Sequence, residues 1–148
     1  MFKQKIFIAS FVTLIIVASL NYFGGKFYWY WTYKWFDIPM HMLGGLWISL
    51  FSLSLYAFFY KKLSILNYRM NVLGIVAFAV LSIGVSWELF ELLGGITSLH
   101  DGTSYWIDTI SDIMNDSIGG LVGYFFFIKN RKCESVLSCE TVNNNQIK

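Results

Sequence analysis

Four long apolar runs, separated by short clusters of charged residues, make up most of the chain. They cover residues 6–22, 39–60, 72–93 and 105–128. Each run is close to the ~20 residues that a helix needs to cross a ~30 Å hydrocarbon core. The pattern therefore predicts an all-α membrane protein with four transmembrane helices.

The first run is the shortest, and it follows two basic residues, Lys3 and Lys5. A cleaved signal peptide would have the same charge pattern. The residues after Leu20 nevertheless make a poor small-residue cleavage site and continue apolar. We therefore expect a retained helix.

Composition agrees with a bilayer environment, because 56% of the 148 residues are hydrophobic and only one is proline. A soluble core could not cover so much apolar surface. The chain contains no nucleotide-binding loop, serine elbow or basic nucleic-acid patch. Membrane lipids are the expected partners and nucleic acid is not; the oligomeric state stays open.

Basic residues predict the orientation, since Lys and Arg near helix ends resist translocation. In a four-helix arrangement only Lys26 and Lys34 lie on one side, while the other Lys and Arg residues lie on the opposite side. We expect a plasma-membrane protein with both termini in the cytoplasm. Residues 1–132 form one transmembrane domain in this prediction, and 133–148 form a polar, disordered cytoplasmic tail whose Cys133 and Cys139 stay reduced.

Two segments of the chain are similar to each other. Residues 37–46 align without gaps on residues 112–121, with the shared pattern Asp-Ile-x-x-polar-x-aliphatic-Gly-Gly-Leu. This similarity predicts two repeated helical hairpins related by a pseudo-two-fold axis, with a site where the halves meet. Chance similarity is the alternative in a chain so rich in glycine and aliphatic residues.

Acidic residues collect on three predicted helix faces near the outer membrane surface. With a 100° step per residue, each set below shares one side of its helix. The sets are Asp37 with His41, Glu88 with Glu91, and Asp108 with Asp112 and Asp116. Glycines continue two of these stripes and would let the helices pack closely, at Gly44, Gly45, Gly119 and Gly123.

Such a cluster needs a cation, because an ionised Asp deep in the bilayer costs roughly 2.5–3.5 kcal/mol and its neighbours repel it. The group must share protons, pair with bases or hold a metal. Carboxylates with one imidazole suit Mg²⁺, Mn²⁺, Fe²⁺ or Zn²⁺. The sequence therefore predicts a divalent-metal site.

We expect His41, Glu88, Asp112 and Asp116 to be the inner ligands of this ion. Asp37, Glu91 and Asp108 would support them or bind a second ion. Either Glu91 or Asp108 would serve as a general base. The alternative for Asp37 and Asp108 is that each is a helix N-terminal acid favoured by the helix dipole.

Aromatic residues fill the segment 27–36 between the first two runs. The simplest interpretation is an interfacial belt lying on the outer leaflet. A stacking surface for a sugar or a lipid headgroup is the alternative.

Three separated motifs resemble a known family. They are Asp37-x-x-x-His41 with Gly44, Trp87-Glu88-x-x-Glu91, and Asp108-Thr109-x-x-Asp112-x-x-x-Asp116-x-x-Gly119-x-x-x-Gly123. They resemble the VanZ-like membrane proteins, and in particular the YjdF-like branch. Ile38 and Asp116 depart from the usual VanZ-like Lys and Asn. The resemblance implies a small helical envelope protein; one member type is associated with low-level glycopeptide resistance, and no reaction is implied.

The leading functional hypothesis is a metal-dependent enzyme that acts on a lipid or a cell-envelope precursor. Proton- or cation-coupled transport is the second hypothesis, since carboxylates at a repeat interface often line such paths. A scaffold with only a structural ion is the third.

Overall fold

The computed structural model describes residues 2–33, 35–59, 65–95, 97 and 102–146, which form five helices. These are α1 (Phe2–Lys26), α2 (Trp29–Thr32), α3 (Asp37–Phe59), α4 (Ile65–Gly94) and α5 (Thr103–Gln146). The described part of the chain contains no strand. The predicted all-α fold is confirmed.

Three helices are long and apolar enough to cross a membrane. The spans are Gln4–Lys26 in α1, Asp37–Phe59 in α3 and Asn71–Gly94 in α4, so the first three predicted runs are confirmed with bounds that differ by one to four residues. Among the described residues, α5 does not reach the same standard. Its first half carries three aspartates between its apolar residues: Asp108, Asp112 and Asp116. A fourth span is therefore only a proposal.

Glycines bring α3 and α5 into backbone contact. A Cβ atom on Gly45 of α3 would overlap the backbone carbonyl of Asp116 in α5. In the same way, a Cβ on Gly119 of α5 would overlap the carbonyl of Met42 in α3. Only a residue without a side chain permits this approach. The predicted packing of these two helices through their glycines is confirmed.

Below this crossing the helices enclose an apolar core. Ile6 of α1, Leu53 of α3, Val72 of α4 and Phe127 of α5 are all fully buried in it. All four long helices thus contribute to one core. The acidic side chains lie at the other end of the bundle, which we call the acidic end: the end marked by Asp37, Glu91 and Asp108.

The aromatic segment folds back over the acidic end. The chain turns at Tyr28, whose φ of 59° lies in the left-handed region, and α2 follows directly. Phe36 packs into the space beside Gly24 of α1, where an added Cβ would lie 2.7 Å from its ring. Tyr30 meets the Phe36 ring edge-on at 5.0 Å and donates a hydrogen bond to Asn21. These contacts attach α2 to α1.

The four long helices follow one another in the order α1, α3, α4 and α5, and this order alone does not test the predicted duplication. α5 continues as a helix to Gln146. The division into a membrane domain and a disordered tail stays a prediction, as does the duplication.

Candidate metal centre

His41 lies at the centre of the acidic end, where α3 crosses α5. Its side chain is buried, and both ring nitrogens face carboxylates. Nε2 lies 3.7 Å from Oδ1 of Asp37 and 3.8 Å from Oδ1 of Asp112. Nδ1 lies 3.4 Å from Oδ1 of Asp116. One imidazole therefore stands between three acids.

Helical spacing and the glycine crossing together produce this arrangement. Asp37 and His41 are four residues apart on α3, and Asp112 and Asp116 are four residues apart on α5, so each pair shares a helix face. The close contact at Gly45 lets the two faces meet. In the internal alignment, Asp37 corresponds to Asp112 and His41 to Asp116. The four residues are thus the two matching pairs of the similar segments.

The carboxylate of Asp116 is inserted among three helices. Its Oδ2 lies where a Cβ on Gly84 of α4 would stand only 2.8 Å away, and its Oδ1 faces Gly44 of α3. The carboxylate fits there because Gly44 and Gly84 have no side chains. Asp116 is 6% exposed, so its orientation toward His41 is determined by packing.

Glu88 reaches the same region from α4. It is 6% exposed, its hydrogen-bond partner is Thr109, and the charges nearest to it include His41 and Asp108. Its Oε1 atom has no hydrogen-bond partner among the described residues. A buried carboxylate oxygen without a partner normally indicates an ion or a water molecule.

The two predicted general bases lie nearer the surface. Glu91 is partly buried, and its Oε1 accepts a hydrogen bond of 2.8 Å from the indole nitrogen of Trp87. Asp108 is exposed at the start of α5. Neither contacts His41 within ion-pair distance in the described structure.

One group of residues has the geometry of a metal site. Single ligand atoms of Asp37, His41 and Asp112 all lie within 4.8 Å of one another. Of the predicted inner ligands, His41 and Asp112 belong to this group, and Asp37 joins them. Asp116 faces the other nitrogen of the imidazole, and Glu88 is not part of the group. The metal assignment itself stays a prediction.

Sequence reasoning missed Tyr30. Partial burial and the nearby charges of Asp37 and Glu91 raise the pKa of its phenol to about 12. Its phenol is therefore within electrostatic range of the centre, although it lies in the aromatic segment far along the chain from most of the acidic motifs. No periodic signal marks it, because only the fold of α2 against α1 brings it there.

These features define a helical membrane protein with a histidine and several carboxylates buried at one end of its bundle. The chain matches the model of the family described as "Predicted membrane protein (DUF2238)" over residues 3–132, and it belongs to that family. No curated protein and no solved structure matches it. The family match supports an integral membrane protein, while the VanZ-like and YjdF-like resemblance stays a prediction.

Proposed function

We propose that this protein binds one divalent cation through Asp37, His41 and Asp112. The observation that carries the proposal is the convergence of their ligand atoms within 4.8 Å. Metal–ligand bonds of ~2.0–2.5 Å place ligands on opposite sides of an ion ~4–5 Å apart. A single ion can therefore contact all three side chains.

The distances at His41 favour coordination over hydrogen bonding. Separations of 3.7 Å and 3.8 Å between Nε2 and the carboxylate oxygens are too long for hydrogen bonds. With bonds of ~2.1 Å, the same separations correspond to ligand–ion–ligand angles of roughly 125°. Three ligands can thus surround one ion and leave positions for water or substrate.

Asp116 then acts on the ion through His41. The Nδ1–H group of His41 would donate a hydrogen bond to Asp116, which leaves the lone pair on Nε2 directed at the ion; such carboxylates orient most metal-binding histidines. Glu88 can supply a further ligand or hold a metal-bound water, because its Oε1 has no partner in the described structure. Oxygen ligands with one imidazole suit Mg²⁺, Mn²⁺, Fe²⁺ or Zn²⁺.

The chemistry that suits this centre is Lewis-acid catalysis on a lipid or a cell-envelope precursor. The ion would polarise a phosphoryl or ester oxygen or activate a water molecule. Glu91, held by Trp87, or the exposed Asp108 would serve as the general base. The side chain of Asp37 is 37% exposed and provides an approach to the ion from the membrane surface.

Transport and a purely structural ion are the alternatives. The backbone contacts at Gly45 and Gly119 lie directly below the centre and argue against a passage between α3 and α5. Incubation of the protein with a membrane-lipid extract, with the products detected by mass spectrometry, separates catalysis from a structural role. If the centre is catalytic, we expect either Glu91→Gln or Asp108→Asn to abolish turnover while the metal content stays unchanged.

The proposal includes a topology of four spans, with α1 retained, the first half of α5 as the fourth span, and both termini in the cytoplasm. Three spans meet the length and hydropathy criteria on their own. Two of the three aspartates in this half, Asp112 and Asp116, are buried against the other helices and so can lie within the membrane, while the exposed Asp108 would lie at its surface. The acidic end would then face outward.

Elemental analysis of the purified protein tests the metal site. We expect close to one divalent ion per chain, and we expect chelation to lower the melting temperature. An ion at one hundred times its Kd stabilises a protein by about 2.7 kcal/mol. Asp112→Asn should remove most of the metal. Asp108→Asn is the matched control: the same change one turn away on α5, at an exposed side chain.

Protein that contains no metal after mild purification, and whose stability does not change on metal addition, would contradict the proposal. The cluster would then be a proton-sharing group. Transport would become the leading function, to be tested in proteoliposomes.

A further inference from the structure

An apolar groove runs between α4 and α5 directly below the candidate centre. Six residues form most of it: Val76, Ala77, Val80, Ser117, Gly120 and Leu121. We call it the α4–α5 groove. Gly120 supplies its floor, because a Cβ there would stand 2.9 Å from Val80. The hydroxyl of Ser117 donates to the carbonyl of Ile113, so its proton is not available to a ligand.

The groove opens toward the surroundings of the bundle. Leu81 and Leu121 on its two sides are 45% and 44% exposed. Because α4 has the length and hydropathy of a membrane span, this opening faces hydrocarbon. A groove with seven apolar or glycine residues among the eight that line it, and with no free side-chain donor, favours an apolar occupant.

The groove lies next to the acidic end along both helices. Ser117 follows Asp116 in the chain, and Gly84, which borders the Asp116 carboxylate, lies one turn beyond Val80 on α4. Asp112 is about 12 Å from Gly120 along α5, at 1.5 Å per residue. A lipid headgroup with its glycerol spans a comparable length, so one molecule can reach from the groove to the ion.

Size favours a lipid chain over a protein helix. The cavity volume is about 170 Å³. An engineered protein cavity of about 150 Å³ holds a single benzene molecule, whereas an α-helix has a diameter of about 10 Å with its side chains. The groove therefore fits a short stretch of one hydrocarbon chain.

We infer that the substrate is a membrane lipid whose acyl chain enters the α4–α5 groove sideways from the bilayer while its polar head reaches the ion. This inference rests on the proposed metal site and adds the substrate class and its route. A water-soluble envelope precursor would have no use for the groove.

Photocrosslinking in lipid nanodiscs tests the inference. The probe is a phospholipid with a diazirine in the middle of one acyl chain, present as a minor component, and crosslinked peptides are identified by mass spectrometry. We expect crosslinks to be several-fold enriched at the groove residues over Phe125, a lipid-exposed position outside the groove. Removal of the ion with a chelator should reduce the enrichment.

Ala77→Phe should fill the groove and abolish the enrichment. Ala77 is exposed in the groove, so the larger side chain can enter without moving a helix. Val85→Phe is the matched control: it lies on the same helix, is 54% exposed, and lies outside the groove. Leu121→Trp is a second groove-filling variant in case Ala77→Phe does not fold.

Metal content measured on the same samples separates the two proposals. Uniform crosslinking along all exposed faces, with normal metal content, would overturn the lipid route and leave the metal site intact. Enrichment that chelation does not change would also overturn it. A dimer in the nanodisc that Ala77→Phe dissociates would assign the groove to a second copy of the chain.

Discussion

Gly45→Ala should separate α3 from α5 and disturb the candidate centre at the same time. The added Cβ would overlap the backbone carbonyl of Asp116. That carbonyl belongs to a helix and cannot rotate away, so the whole of α3 or α5 has to shift. The side chain of Asp116 also lies 3.4 Å from Nδ1 of His41. A shift of α5 would therefore move His41 and weaken metal binding.

The expected loss of stability is about 2 kcal/mol. Overpacking typically costs about 1–3 kcal/mol, and we take the upper value of ~3 kcal/mol because the overlapping group is backbone and cannot move alone. Alanine in place of glycine stabilises a helix by about 1 kcal/mol, which offsets part of this loss. For a chain of this size each kcal/mol shifts the melting temperature by about 2–4 °C, which gives a decrease of about 4–8 °C.

Gly74→Ala is the matched control, because a Cβ on Gly74 of α4 has nothing within 4 Å. It should leave the melting temperature unchanged or raise it slightly. Thermal unfolding in mild detergent, followed by tryptophan fluorescence, measures both variants, and elemental analysis reports the metal. If Gly45→Ala has the same melting temperature as the wild type and keeps its metal, Gly45 of α3 does not contact the backbone of α5.

Two further predictions concern the Tyr30 phenol and the orientation of the protein in the membrane. In metal-free protein, subtraction of the ultraviolet pH titration of Tyr30→Phe from that of the wild type should show one phenol with a pKa of about 12. Asp37→Asn should lower this pKa, because it removes a nearby negative charge. Because that pKa exceeds the 10.0 of an ordinary tyrosine, the protein should lose stability as the pH rises from 10 toward 12; a midpoint near 10 would contradict the placement of Tyr30. For the topology, cysteines at Tyr28 and Asn130, in a chain without its own two cysteines, should react with an impermeant reagent on intact cells only at position 28. Labelling at Asn130 alone would reverse the orientation.

Much of the architecture followed from the pattern of residues alone. Long apolar runs are enough to predict the spans in α1, α3 and α4, because in lipid every backbone polar group must be satisfied within its own helix. Spacing of four residues also places Asp37 with His41, and Asp112 with Asp116, on common faces. The glycines at 45 and 119 indicated where those faces would meet.

The assignment within the centre depended on tertiary structure. Both Asp112 and Asp116 point from α5 toward His41, and the sequence treats them alike. The crossing angle and the space at Gly84 direct Asp116 to Nδ1, while Asp112 joins Asp37 at Nε2. A ring has two nitrogens on opposite sides, and only the orientation of packed helices determines which acid meets which nitrogen. For the same reason, no local pattern could predict that the fold of α2 against α1 would bring the Tyr30 phenol within electrostatic range of Asp37.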